Sequence, residues 1–217
     1  LPHFGLVHVL FLLQATLWTL LLSAIAFIGG GALGFLIALA RVSPSRIVRE
    51  LANAYVQIVQ GLPLLILLFV IYFGMSIAGF EQVPAILAAG AGLIIYTSGF
   101  LGEIWQGCIQ SVAKTQWEAA ECLALTRWQR MSRVILPQAA RIATAPTVGF
   151  LVQVVKNTSL ASVVGFVELA QAGKLINNST FQPFITFICV ALIYFIICYP
   201  LSLFSRGLER KLNAGRR

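Results

Sequence analysis

Long apolar stretches separated by short polar ones dominate this chain. Runs from about Leu10 to Ala40, Leu51 to Ala78, Pro84 to Gln110, Ile142 to Phe166 and Pro183 to Phe204 are rich in Leu, Ile, Val, Phe and Ala. Each approaches or exceeds the ~20 residues that carry a helix across ~30 Å of hydrocarbon. Backbone at that depth must satisfy its own hydrogen bonds, so the runs predict helices. The second run is interrupted by Gly61-Leu62-Pro63, where proline removes a donor and disrupts the local turn. The pattern therefore predicts an all-α, polytopic membrane bundle of five transmembrane helices. It forms a single domain over residues 1–217.

One polar interval is much longer than the rest, from about Ser111 to Arg141. A connection of this length is usually functional. It reads as two short amphipathic helices, Gln116 to about Leu123 and Arg127 to about Ile135. Leu125-Thr126 forms the turn between them, with Thr126 as N-cap. Pro137 is expected to close the second helix. Two readings stand for this segment. It is an interfacial helix with its cations toward lipid headgroups, or a docking platform for a cytoplasmic partner. Glu118 and Glu121 oppose a purely lipid-facing role, because anionic headgroups repel them.

Composition agrees with the membrane reading. The 217 residues are 59% hydrophobic and only 10% charged, whereas a soluble domain carries roughly 25% charged residues. The net charge is +8, from fifteen Lys and Arg against seven acids, all of them Glu. A basic balance can signal nucleic acid, but the positions decide otherwise. Thirteen of the fifteen cations fall between spans one and two, between three and four, or after span five. They include Arg41, Arg133, Arg141, Arg216 and Arg217. Lys174 lies on the opposite side and Lys156 inside span four. The positive-inside rule then places the N-terminus outside and the C-terminus in the cytoplasm. The cations lack the interleaved aromatics of a nucleic-acid face.

Candidate chemistry is sparse. Cys108, Cys122, Cys189 and Cys198 have no metal or redox spacing and read as small apolar fillers. The two histidines, His3 and His8, sit near the N-terminus. No catalytic residues, no metal ligands and no phosphate-binding Walker motif emerge. Gly29, Gly30, Gly31 and Gly34 lie inside an apolar span with no following Lys-Ser/Thr, so close helix packing explains them.

The long loop holds Glu118-Ala119-Ala120, then Ala124, Val134 and Leu136-Pro137, and in that spacing it resembles the inner-membrane permease subunits of bacterial ABC importers. That family's pattern is Glu-Ala-Ala, three residues, Gly, nine residues, Ile, one residue, Leu-Pro. Gly107 to Val112, Thr126 to Gln129, Gly61 to Leu65 and Lys156 to Gly165 resemble the polar amino-acid branch of the family. The resemblance runs from about Leu10 to Leu212. It implies the transmembrane subunit of an ATP-driven amino-acid importer working by alternating access. The loop would be a coupling helix, with Glu118, Ala119, Ala120, Ala124, Leu136 and Pro137 at or near the ATPase contact. Implied partners are cytoplasmic ATPase subunits, a second permease, identical or homologous, and an external amino-acid-binding protein. ATP and Mg would reside on the ATPase, with no cofactor on this chain. The setting would be the bacterial inner membrane.

Besides Val134 at the Ile position, this chain departs from the family at Ala124, Gln60, Leu62 and Gln106, Leu62 standing where the family has Thr. Ala124 replaces Gly at the loop turn, and a slight shift of the turn is expected to accommodate it. Gln60 and Gln106 stand where the family commonly has Arg, so contacts at those two positions do not carry over.

A charge within a span costs about 2.5–3.5 kcal/mol on insertion scales, so each such group needs a partner or a role. Glu103 reads as a cavity residue or as half of a buried pair. Lys156, Thr158, Ser159 and Ser162 read as a polar face lining a translocation pathway, or as interhelical packing. Glu168, at the outer end of span four, reads as a contact for a substrate cation or as an interfacial residue. Ser98 interrupts span three and is a further candidate lining residue. A stand-alone secondary transporter or channel is the alternative, but neither inverted repeats nor a carboxylate relay is visible.

Overall fold

The computed structural model describes residues 4–79 and 83–214; His3, Arg216 and Arg217 lie outside them. Every element among the described residues is helical. They are α1 (Leu6–Arg41), α2 (Arg46–Gly61), α3 (Leu64–Ile77), α4 (Ala85–Gln110), α5 (Lys114–Cys122), α6 (Arg127–Gln129), α7 (Leu136–Asn157), α8 (Leu169–Thr180) and α9 (Pro183–Ala214). A π-helical segment, Arg130–Ile135, joins α6 to α7, and a 3-10 segment, Thr158–Val164, follows α7.

The apolar runs form helices as the pattern predicts, and small residues decide how they meet. A Cβ on Gly30 would fall 2.5 Å from the Thr97 Cβ. A Cβ on Gly34 would fall 3.0 Å from the Ser98 carbonyl oxygen. These two positions bring the α1 backbone directly against α4, the close approach that small residues permit in membranes. On the opposite face of α4, Gly92 receives Leu68 of α3 and Gly99 receives Val59 of α2. One core cluster gathers Leu22, Ala26, Leu68, Leu93 and Val154 around α4.

The second predicted span differs from expectation. Four helical stretches are each long and apolar enough to cross a membrane, and α2 with α3 makes a fifth only as a pair bent by 106°. Leu62 is extended, with φ −101° and ψ 133°, the conformation that a following proline imposes. Pro63 then begins a new direction. Helix α2 lays Ala52, Val56 and Val59 inward, while α3 buries Leu64, Leu67 and Leu68.

The long loop also differs at its end. Pro137 does not close a helix. The chain stays helical from Arg127 through Val164, with Pro137 in the first turn of α7. First-turn proline loses no hydrogen bond that the helix needs, and the wide π turn before it relieves the clash a proline ring makes one turn back. The π segment and the turn before it differ in exposure. Met131 and Ile135 turn inward, but Trp128 remains 73% exposed. Helix α8 has no counterpart in the sequence expectation.

Candidate functional site: the coupling helix and the intramembrane polar groups

Helix α5 is a nine-residue rod with a defined end at each side. Its C-terminus is a complete Schellman motif: Leu125 N–H donates to the Ala120 carbonyl (3.3 Å) and Ala124 N–H to the Glu121 carbonyl (2.9 Å). The residue between cap and exit is Ala124, with φ 53°. The turn does not shift to suit the alanine, contrary to expectation. The backbone keeps the left-handed conformation, and Ala124 bears the ~1 kcal/mol strain that glycine would avoid. Two bonded carbonyls and the packing of Ala120 hold it there.

The next helix starts at once. Thr126 and Gln129 form a capping box, the Gln129 N–H donating to Thr126 Oγ1 (3.4 Å) and the Thr126 N–H to Gln129 Oε1 (2.9 Å). Glu121 pairs with Arg130 across the turn. Arg127 donates to the Val42 carbonyl at the end of α1 (2.9 Å). Beneath, Met131 and Ile135 pack with Ala38, Ile109 and Val112. The α5 rod is thus fastened to α1 and α4 through one apolar cluster and two arginines.

What this rod offers outward is specific. Glu118 and Ala119 are exposed, while Ala120 is buried. Glu118 pairs loosely with Lys114 at 3.5 Å on the exposed side. Such a pair is worth little to stability, so both groups remain available to a partner. Ala124 and Pro137 are exposed and Leu136 is half-buried.

Of the polar residues proposed for a pathway, Thr158, Ser162 and Glu168 are brought together through Tyr194 and Lys174, while Ser98 and Glu103 have separate partners. Ser98 is buried, its Oγ 2.7 Å from Tyr55 Oη and 2.8 Å from the Ile95 carbonyl. Glu103 is half-exposed and pairs with Arg41, whose Nε also donates to Asn53 (2.8 Å). This triad ties the end of α1 to α2 and α4. Thr158 and Ser159 each donate to a carbonyl three residues back, at 2.7 Å. Ser162 accepts from Lys174 Nζ at 3.0 Å. Lys156 is exposed and forms no ion pair among the described residues.

Glu168 departs furthest from expectation. It is fully buried and is the N-cap of α8. Its Oε1 accepts from the Gln171 N–H (2.8 Å) and its Oε2 from the Ala170 N–H (2.9 Å) and Tyr194 Oη (2.8 Å). Leu169 N–H donates to Thr19 Oγ1 (3.0 Å), and Ala172 N–H to the Glu168 carbonyl (2.8 Å). All four donors at the start of α8 are satisfied. Burial raises the Glu168 carboxyl above its ordinary range, against the opposing effect of these donors and of Lys174. A carboxylate with both oxygens occupied joins α8 to α9, and the neighbouring Leu169 N–H adds α1 through Thr19; the arrangement is a structural clamp. Its partner Tyr194, and Thr19, which accepts from Leu169, carried only a faint sequence signal, as single polar groups inside apolar runs. Among the described residues no three His, Cys, Asp or Glu gather where they could hold a metal.

The fold is an apolar helical bundle that carries a short, exposed helix between two of its candidate spans. The chain belongs to the family of binding-protein-dependent transport system inner membrane components, which matches residues 30–214. It is thus a permease subunit, and a self-sufficient transporter is set aside. It is 38% identical over 194 residues to the "Probable amino-acid ABC transporter permease protein YckA" of Bacillus subtilis, covering 89% of this chain and 85% of that one. Identity to that organism's "Probable glutamine ABC transporter permease protein GlnM" is also 38%, over 195 residues and 90% of both chains. A crystal structure of an amino acid ABC transporter with histidines superposes with a TM-score of 0.86 at 30% identity, covering 93% of this chain and 94% of that one. The fold is shared as well with the MetNI methionine ABC transporter in an inward-facing form, at a TM-score of 0.80 and 19% identity, covering 96% and 99% of the two chains.

Proposed function

We propose that this chain forms the amino-acid pathway of an ATP-driven importer and receives its drive through α5. The observation that carries the reading is the α5 rod itself. It is capped at its exit by the Schellman motif, pinned to α1 and α4, and exposes Glu118 and Ala119. A short helix capped at its exit and packed against α1 and α4 transmits a partner's displacement rather than absorbing it. The partner is a cytoplasmic ATPase that holds ATP and Mg, since this sequence has no phosphate-binding loop. A second permease completes the pathway, and an external binding protein delivers an amino acid. In the inner membrane the N-terminus faces outward and the C-terminus inward, as the cation distribution favours. ATP binding must favour one permease state by several kcal/mol to reverse the population.

Within the bundle, Lys156 is the best-placed pathway residue. An unpaired cation at the end of α7 calls for an anionic partner from outside the chain, and a substrate carboxylate meets that need. Ser98, Glu103, Thr158, Ser159 and Ser162 have partners of their own and act by shaping the wall. Glu168 is withdrawn from the pathway.

The test is ATPase activity of the reconstituted complex with its binding protein and a panel of amino acids, wild type against Glu118→Lys. Stimulation by one amino-acid class, lost in the variant, is expected. Amino-acid flux without any ATPase, indifferent to Glu118→Lys, would overturn the proposal.

A further inference from the structure

A well-formed cavity lies away from the polar region. It is an open cleft of about 630 Å³ between α1, α4 and α7, walled by residues that include Phe27, Phe35, Trp105, Ala139, Ala143 and Thr147. A second hollow of about 300 Å³ continues it toward α9, and the two share Phe27 and Leu151. From Leu136 to Leu151 the cleft follows about 22 Å of helix at 1.5 Å per residue.

The chemistry of the wall excludes a zwitterion. Trp105 Nε1 donates to Thr147 Oγ1 at 2.8 Å, and Thr144 Oγ1 donates to the Ala140 carbonyl at 2.9 Å. These polar groups are already engaged, and the rest of the wall is hydrocarbon. The rim is apolar and exposed: the apolar window of α1, which forms one lip, has a mean hydropathy of 2.3, yet only 28% of it is buried.

Charge identifies the occupant. At the end where the basic residues gather, Arg141 follows Ala140 of the wall, and Arg133 precedes Leu136 by three residues. Both arginines are exposed, and neither has an ion pair or side-chain hydrogen bond among the described residues. Arg127 and Arg130 of the same segment are both engaged. We infer that an anionic phospholipid occupies this cleft, one acyl chain lying between α1 and α7 and its phosphate held by Arg133 and Arg141. The site joins the bilayer to the segment that carries α5.

Native mass spectrometry tests this on the full chain in its assembly, released from nanodiscs of phosphatidylglycerol or of phosphatidylcholine. Wild type is expected to retain phosphatidylglycerol in preference. Arg133→Gln/Arg141→Gln should weaken that retention about 25-fold, near fivefold per arginine at a membrane surface. Thr144→Phe, a change at an exposed position of the wall, should displace the lipid altogether. Equal retention of both lipids by wild type overturns the inference, as does a double variant that retains phosphatidylglycerol like wild type. A disulfide between two chains carrying Ala140→Cys, with Cys122→Ser, would place a second copy in the cleft and also overturn it. The double variant stands as the test if Thr144→Phe fails to fold. None of these readouts involves amino acids or ATP, so they stand apart from the importer reading.

Discussion

Replacing Glu168 tests whether this carboxylate clamps the fold or touches substrate. In Glu168→Ala the α8 cap is lost, at about 1 kcal/mol for a typical N-cap. The Tyr194 hydroxyl loses its acceptor in a buried setting, at about 1–3 kcal/mol. Together these come to roughly 3 kcal/mol. For a chain of this size each kcal/mol moves Tm by about 2–4 °C, so a fall of about 6–12 °C is expected. Glu168→Gln keeps the shape but puts an amide where the carboxylate accepted from an N–H, so its Tm should fall about half as far. Tyr194→Phe should be non-additive with Glu168→Gln, because the two residues share one hydrogen bond. The assay is thermal unfolding of the purified chain in mild detergent, beside amino-acid stimulation of the ATPase. A Glu168→Gln variant with unchanged Tm and a shifted amino-acid requirement would refute the clamp and restore the substrate contact.

Glu168 also predicts a pH dependence. Its raised carboxyl means that the folded chain holds that proton more tightly than the unfolded chain. This contribution is complete below the ordinary carboxylate range and is lost as pH rises through the raised value; Glu168→Gln should flatten that part of a Tm-against-pH curve. Ala124→Gly should relieve left-handed strain, with up to about 1 kcal/mol gained before the unfolded-state entropy of glycine offsets part of it. Slower amide exchange at Leu123 to Leu125 would report the gain, and faster exchange would refute the strain. Gly34→Ala should destabilise by about 1–3 kcal/mol, because its Cβ meets backbone at 3.0 Å. Gly31→Ala, with its nearest neighbour at 3.6 Å, should leave Tm unchanged; equal effects of the two would disprove the packing argument.

The apolar runs alone determined that the chain is helical and membrane-embedded, because hydrocarbon allows a buried backbone few other solutions. Local chemistry also sufficed for the Thr126 cap, since a threonine and a glutamine three residues on settle their own hydrogen bonds. Helix α5 was legible for the same reason: it is built from neighbours in sequence. Other features depended on what the chain meets at a distance. A proline ends or begins a helix according to the turn before it, so Pro63 redirects α2 into α3 while Pro137, after a π turn, does not. Ala124 was readable as a departure, but only the assembled turn showed that the backbone holds φ 53° against the preference of its own residue. Glu168 looked like a free carboxylate at a membrane edge. Its true setting needed Tyr194, 26 residues away, and Thr19, bonded to the next residue from 150 positions away. Periodicity carries no record of such pairings. A polar group in a membrane is costly until something satisfies it, and tertiary structure alone decides whether that is a distant helix, a substrate or a lipid.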